Sequence, residues 1–116
     1  MLIHCASGKD RTGFGAALIL DVLGVEEDEI VADYLLTNAC LPLDEEMERL
    51  TAHVTDSSGG ALAYDVLRPM VEVRPEYILA CFEEIRHRYD SKQHFYQAAL
   101  GLDKEKIERL RENYLY

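Results

Sequence analysis

Apolar residues recur at spacings of three and four along most of the 116-residue chain, and this pattern limits the fold more than any other feature. Such spacing places the apolar side chains on one face of an α-helix. A half-buried β-strand would instead show strict alternation of apolar and polar residues. No alternating segment is longer than the short apolar stretch Leu2-Ile3. The sequence therefore predicts a mainly α-helical chain with, at most, a strand stub at its start.

Start and stop residues divide the helical pattern into segments. The first predicted helix follows Arg11 and stops at Gly24, and the second runs over about residues 26–37. Residues 56–60 are predicted to form a loop because they are small, polar and rich in glycine. A short helix is expected over about residues 61–67. Later helices are expected to begin near Pro42, Pro75, Ser91 and Asp103.

The formal net charge of −10 comes from one part of the chain, because residues 21–65 hold twelve acidic residues and a single base, Arg49. We interpret these acids as solvated helix faces. The excess of negative charge argues against binding to nucleic acid or to an anionic membrane, since both require clustered Lys and Arg. It leaves open the binding of one small anion in a locally positive pocket.

The sequence shows no membrane span or metal site. Its longest apolar run, residues 16–20, is far shorter than the roughly 20 residues that a transmembrane helix needs. The histidines lack the partner spacing of zinc ligands. Three cysteines at wide spacing, without a CxxC pair, are typical of a reducing compartment. We therefore expect a cytoplasmic protein without a metal or other cofactor.

The segment from His4 to Gly13, with the sequence HCASGKDRTG, is the strongest indication of function. A loop of this kind, leading into a helix, can surround a tetrahedral oxyanion with backbone N–H groups and the positive helix end. Gly8 allows the necessary backbone curvature, and the fork of the Arg11 guanidinium can bind two phosphate oxygens. The same positive field would lower the pKa of the Cys5 thiol and make it a nucleophile. Considered alone, Cys5 would also fit a small buried apolar position.

These residues resemble the HCxxGxxR[ST]G signature of cysteine-dependent protein tyrosine phosphatases. The form HCxxGKDRTG looks most like the bacterial group that shades into dual-specificity and phosphoinositide phosphatases. Weaker similarity continues at residues 22–25 and 75–77, and again between residues 89 and 110, so the resemblance covers most of the chain. A Walker A loop is a poorer description, because Asp10 rather than Ser or Thr follows Lys9.

The resemblance implies a role for each matching residue. Cys5 would form a phosphocysteine, Arg11 would bind the substrate and stabilise the transition state, and Thr12 would donate its hydroxyl to the sulfur during breakdown of the intermediate. The other substrate-binding residues of the loop would be His4, Ala6, Ser7, Gly8, Lys9 and Gly13. Lys9 would either bind an additional phosphate of a phosphoinositide or raise the local potential.

Asp10 is the expected general acid. In most of the superfamily, an aspartate on a loop N-terminal to the signature protonates the leaving oxygen, but only four residues precede Cys5 here. Asp10 lies within the signature, and a subgroup of the family is thought to use that position. The alternative is that Asp10 only pairs with Lys9 or with the positive end of a helix.

The family's catalytic domain is an α/β fold with a mostly parallel central sheet. The resemblance therefore implies that this chain is the helical C-terminal half of such a domain, and hence a truncated one. Residues 1–13 would be the strand stub and phosphate-binding loop, and residues 14–116 a helical bundle. The apolar face of the first helix (Phe14, Leu18, Ile19 and Val22) would then lack its sheet. We expect self-association or a complementary N-terminal segment to cover it.

The implied function is hydrolysis of phosphomonoesters, with phosphotyrosine as the first substrate. Phosphoserine, phosphothreonine and phosphoinositides are further candidates. The alternative is a non-catalytic phosphate-binding fragment or assembly module that retains the loop without turnover.

Overall fold

Helix α1 (Asp10–Val22) begins inside the HCASGKDRTG motif and contributes to two of the hydrophobic clusters of the protein. A computed structural model describes residues 2–5, 8–58 and 64–115, without the side chains of residues 53–58, 64 and 65. The other helices in these ranges are α2 (Glu27–Cys40), α3 (Leu43–Ser58), α4 (Tyr64–Val71), α5 (Pro75–Arg88), α6 (Lys92–Leu100) and α7 (Lys104–Tyr114). The prediction of a mainly α-helical chain is confirmed.

The predicted strand stub has no strand partner among the described residues. Residues 2–5 form no strand, and neither does any other segment that the structure describes. The physical reason is that a lone strand leaves its backbone donors and acceptors unpaired, and the described chain provides no second strand. Leu2 is accordingly 87% exposed. The peptide leading to Cys5 is therefore irregular.

The loop prediction at residues 56–60 is partly wrong, because α3 continues through Ser58. Gly59 and Gly60 lie outside the described residues, as do residues 61–63 of the predicted short helix. The corresponding helix, α4, covers residues 64–71. Local composition indicated a turn here, but composition locates the residue at which a helix ends only to within one or two positions.

Several predicted helix ends are confirmed by their capping contacts. The Ser91 hydroxyl accepts a hydrogen bond from the backbone N–H of His94, and the Asp103 carboxylate accepts one from the N–H of Lys106. Pro75 occupies the first turn of α5. Gly24 follows α1 with φ +92°, a left-handed conformation that glycine adopts without steric cost. Sequence signals therefore locate these ends well.

Three small hydrophobic clusters hold the helices together. The first joins α1, α2 and α5 through Ala17, Ile30, Tyr34, Val73, Ile78 and Phe82. The second joins α1 to α6 and α7 through Val22, Phe95, Tyr96 and Ile107, and the third joins α3 to α4 through Met47, Leu67 and Val71. The radius of gyration is 17.3 Å, compared with about 13 Å for a compact chain of this length. The arrangement is therefore open rather than spherical.

The apolar face of α1 is less bare than the sequence suggested. Val22 is buried against α6 and α7, and Phe14 packs against the first cluster. Leu18 and Ile19 remain on an apolar groove of about 380 Å³, together with Gly15, Val22, Leu23, Leu100, Leu102, Leu110 and Tyr114. No helix in the described parts of the chain is long and apolar enough to cross a membrane.

Candidate active site

The segment between Cys5 and α1 supplies the predicted phosphate-binding loop. Cys5 is half-buried and Gly8 is exposed, whereas Ala6 and Ser7 lie outside the described residues. Gly8 has φ +69°, and a Cβ atom added there would meet nothing within 4 Å. Glycine at this position is therefore required by the left-handed backbone and not by lack of space.

The N-terminus of α1 points its positive end at this loop. Lys9 is the N-cap residue, and its side chain makes no capping hydrogen bond. The first helical bond runs from the N–H of Gly13 to the carbonyl oxygen of Lys9, over 3.0 Å. The N–H groups of the residues before Gly13 have no acceptor within the helix. Together with the helix dipole, they favour an anion at this point.

Four further predicted residues surround the helix start. His4 and Arg11 are exposed, and no described residue hydrogen-bonds or ion-pairs with the Arg11 guanidinium. The Asp10 carboxylate is 67% exposed and lies 3.5 Å from the Lys9 ammonium. The Thr12 hydroxyl is buried, with no hydrogen-bond partner among the described residues. The arrangement leaves the donors of Arg11 and Thr12 unused by those residues.

The Lys9 side chain is buried rather than directed to solvent. Lys9 is only 6% exposed, and its ammonium donates to the backbone carbonyl oxygens of Met70 at 2.5 Å and Glu72 at 3.3 Å. Both acceptors lie at the junction between α4 and α5. The ammonium thus connects the loop to a segment more than 60 residues away in sequence.

Tyr34 of α2 was not among the predicted site residues, although its ring packs directly against Gly13. Burial raises the pKa of its hydroxyl to about 12, with a further contribution from the nearby Asp10 carboxylate. Tyr34 therefore stays neutral at physiological pH and supports the start of α1. Apolar spacing within α2 marks Tyr34 as a core position, but no sequence signal pairs it with Gly13.

Asp21 is a second charged residue whose position differs from the prediction, which placed the acids of residues 21–65 on solvated helix faces. Its carboxylate is buried and not on a solvated face, because it accepts hydrogen bonds from the Tyr96 hydroxyl and, at 2.6 Å, from the Lys92 ammonium. The sequence signal that could have indicated this burial is that the acid lies between apolar residues of α1. The other described acids of residues 21–65 are exposed or half-buried, as expected.

No group of three His, Cys, Asp or Glu side chains within the described part of the chain could hold a metal ion. The chemistry that the described residues offer is instead a half-buried thiol at Cys5, shortly before α1 in the sequence, with a guanidinium and a carboxylate in the first helical turn. This combination can bind a phosphoryl group and transfer it to sulfur.

Comparisons with known proteins agree with this chemistry. The model of the tyrosine phosphatase family matches residues 1–116. A Cupriavidus necator protein provisionally named a tyrosine-protein phosphatase is 35% identical over 115 residues, which cover 99% of this chain and 39% of that protein. The triple specificity protein phosphatase PtpB of Mycobacterium tuberculosis is 33% identical over 119 residues, covering 96% of this chain and 42% of PtpB.

A shorter match joins the chain to a tyrosine-protein phosphatase of Nostoc commune, with 51% identity over 37 residues. The chain spans about two-fifths of the length of the two longer matches, 39% and 42%. The family match nevertheless covers the whole sequence and includes the loop, the first helix and the helices that support it. The chain belongs to the tyrosine phosphatase family.

Proposed function

We propose that this chain hydrolyses phosphate monoesters, with phosphotyrosine as the first substrate, through a phosphocysteine intermediate. One observation carries the proposal: within the motif that contains Cys5, α1 begins at an N-terminus without a side-chain cap, and its exposed Arg11 guanidinium is engaged by no described residue. A backbone nest, a helix dipole and a planar cation together suit a phosphate dianion. The family match supports the same conclusion.

In the first proposed step, the Cys5 thiolate attacks phosphorus. The P–S bond forms as the ester P–O bond breaks, and Asp10 gives its proton to the leaving oxygen. In the second step, a water molecule attacks phosphorus and passes its proton to the Asp10 carboxylate. The P–S bond breaks, inorganic phosphate leaves, and the Thr12 hydroxyl donates to the thiolate that forms again.

Other residues of the loop hold the phosphoryl group during both steps. Arg11 binds two of its oxygens, and backbone N–H groups from Ala6 to Arg11 bind the remaining charge. Gly8 allows the curvature that directs these groups inward, and Gly13 allows close packing of α1 on Tyr34. His4 orients the loop from its N-terminal side.

The proposal is tested by hydrolysis of p-nitrophenyl phosphate. We expect Cys5→Ser to reduce the rate to background and vanadate to inhibit the unaltered protein, because both act at the nucleophile. Cys40→Ser is the matched control, since Cys40 is an exposed free thiol at the end of α2. Burial raises the pKa of Cys81, so that thiol is a poor nucleophile.

The alternative, a phosphate-binding module without turnover, gives a different result in the same experiment. It predicts that the unaltered protein and Cys5→Ser are equally inert towards p-nitrophenyl phosphate while vanadate still binds, as measured by calorimetry. Equal inertness of the two proteins would overturn the enzymatic proposal. Loss of vanadate binding in Arg11→Ala would then locate the bound anion at the loop.

Substrates beyond phosphotyrosine belong to the same proposal. The Mycobacterium tuberculosis relative is named a triple specificity protein phosphatase. This name supports testing phosphoserine and phosphothreonine peptides and phosphoinositides alongside phosphotyrosine peptides. Cys40 and Cys81 are free thiols, which supports a cytoplasmic site of action, because a reducing compartment keeps thiols free.

We also propose that residues 1–13 act as the phosphate-binding unit on a bundle formed by residues 14–116.

We further propose that the chain self-associates. The support for association is the apolar groove beside Leu18 and Ile19. Leu100→Lys should lower the mass measured by light scattering, because Leu100 lines the groove and is 39% exposed. Leu36→Lys is the control, since Leu36 is 56% exposed on α2 and outside the groove. A monomer at high concentration would contradict self-association and leave a complementary N-terminal segment as the partner.

A further inference from the structure

Two of the three donors of the Lys9 ammonium are already used within the protein. An ammonium carries three N–H donors. The carbonyl oxygens of Met70 and Glu72 take two of them, and the ammonium also forms an ion pair with the Asp10 carboxylate over 3.5 Å. The side chain is 7% exposed, so solvent and substrate have little access to it. Binding of an additional phosphate, one of the two roles expected from the sequence, would instead need an accessible ammonium.

The acceptors of Lys9 are suited to a cation. Met70 lies in the last turn of α4 and Glu72 just beyond it. Carbonyl groups at a helix C-terminus have no helical donor, and the helix dipole makes this end negative. The Lys9 ammonium therefore joins the C-terminus of α4 to the N-terminus of α1. Withdrawing it would leave at least two partly buried carbonyl oxygens without their donor.

The junction that Lys9 holds is itself well anchored. The Asn38 amide of α2 donates to the Val73 carbonyl at 2.8 Å and accepts from the Val73 N–H at 2.9 Å. The Tyr77 hydroxyl donates to the carbonyl of Pro69 at 2.7 Å. The Glu72 carboxylate pairs with Arg68 and Arg74. The α4–α5 junction thus offers a fixed point to which the loop can be tied.

We propose that Lys9 is a positioning residue that ties the phosphate-binding loop to the α4–α5 junction. The site then recognises its substrate through one phosphate group, and Lys9 binds no second phosphate. This inference rests on the proposed function for its substrate class. A second phosphate, as on a phosphoinositide bisphosphate, gains no contact with the Lys9 ammonium. Lys9 instead acts through Cys5 and Arg11, whose placement depends on the path of the loop.

The first test compares Lys9→Met with the unaltered protein on a phosphotyrosine peptide and on a short-chain phosphatidylinositol bisphosphate. Methionine keeps the length of the side chain and removes every donor. We expect kcat to fall about ten- to hundredfold on both substrates, because small displacements of catalytic groups have effects of this size. KM should change by about the same factor for both substrates, within roughly twofold. Lys104→Met, an exposed lysine on α7, is the control.

A different pattern would overturn the inference. If Lys9→Met raised KM only for the bisphosphate and left kcat on the peptide unchanged, Lys9 would be a ligand of the second phosphate. Rates are measured at a temperature where circular dichroism shows each variant fully folded. Should Lys9→Met fail to fold, Asn38→Ala loosens the same junction without altering Lys9, and it should lower kcat on both substrates. Unchanged rates in Asn38→Ala would equally contradict the positioning role.

A second test does not depend on turnover, so failure of the proposed function and failure of this inference can be distinguished. The rate of Cys5 alkylation by iodoacetamide is followed by peptide mass spectrometry. We expect Lys9→Met to change that rate about threefold or more, because release of the loop would alter the exposure of the thiol and the field that acts on it. An alkylation rate within about twofold of the unaltered protein contradicts the tether, whether or not either protein hydrolyses phosphate esters.

Discussion

Gly13 of α1 lies so close to Tyr34 of α2 that a Cβ atom added to Gly13 would be 3.0 Å from Cε2 and 3.2 Å from Cδ2 of the ring. Tyr34 is 7% exposed and belongs to the first hydrophobic cluster, so the ring has little room to move. The last glycine of the phosphate-binding motif is therefore a packing contact as well as part of the loop. Sequence similarity alone does not distinguish these two requirements.

We predict that Gly13→Ala destabilises the protein by about 1–2 kcal/mol, because the crowding outweighs the gain in helix propensity. Gly15→Ala is the matched control in the same helix. A Cβ atom there would meet nothing within 4 Å, so this change should stabilise by about 0.5–1 kcal/mol. Urea unfolding measures both values. Similar stabilisation by the two substitutions would show that the Tyr34 contact does not limit residue 13.

The Asp21–Tyr96 contact gives a second prediction. We expect Tyr96→Phe to cost about 1–3 kcal/mol, because it removes a hydrogen bond to a buried carboxylate. Lys92→Met should cost less, since the Lys92 side chain is 51% exposed and its charge is partly screened by water. Thermal unfolding of the two variants provides the measurement. Equal losses would mean that the buried hydroxyl contributes no more than the exposed ammonium.

Acid should weaken the α4–α5 junction through Glu72. Hydrogen bonds from Arg74 and Arg68 hold the pKa of the Glu72 carboxylate below its ordinary value of 4.5. A carboxylate with a lowered folded-state pKa stabilises the protein above the unfolded-state pKa, and this contribution disappears as pH falls through the folded-state pKa. Glu72→Gln should therefore lower stability at neutral pH and make the loss of stability below pH 4.5 shallower.

Glu84→Gln is the control for this pH experiment. A hydrogen bond from Arg88 lowers the pKa of Glu84 in the same direction, but both side chains of that pair are more than half exposed. Solvent screening makes its effect on stability smaller. Urea midpoints between pH 3 and pH 7 are compared for both variants. A slope in Glu72→Gln identical to that of the unaltered protein would exclude Glu72 as a source of the acid sensitivity.

Asp10 should matter for poor leaving groups and little for good ones. An aryl oxygen leaves without much protonation, whereas an alkyl oxygen needs an acid, so Asp10→Asn should reduce alkyl phosphate hydrolysis by about 10²- to 10⁴-fold more than aryl phosphate hydrolysis. Asp28→Asn is matched to it, because Asp28 is also an exposed acid in a first helical turn. Full alkyl phosphate activity in Asp10→Asn would mean that Asp10 only pairs with Lys9.

Local signals identified much of the fold. The N-caps Ser91 and Asp103 and the proline at the start of α5 were recognisable because capping and proline effects act within a few residues. The described residues contain no strand at the predicted stub. A strand depends on a distant partner that short-range sequence patterns do not reveal. The same limit applies to the end of α3, where loop-forming residues 56–58 remain helical.

The sequence by itself determined the family, the helical character and the chemical content of the loop, since these depend on residue identity and on spacing over a few positions. Only the tertiary structure decided that Lys9 is buried against the carbonyl oxygens of Met70 and Glu72 and that Asp21 is buried against Tyr96. Backbone carbonyl groups carry no residue identity, so no pattern in the sequence marks them as partners of a lysine. Burial of a charge likewise depends on which helix face meets another, and that is settled by packing among residues far apart in the chain.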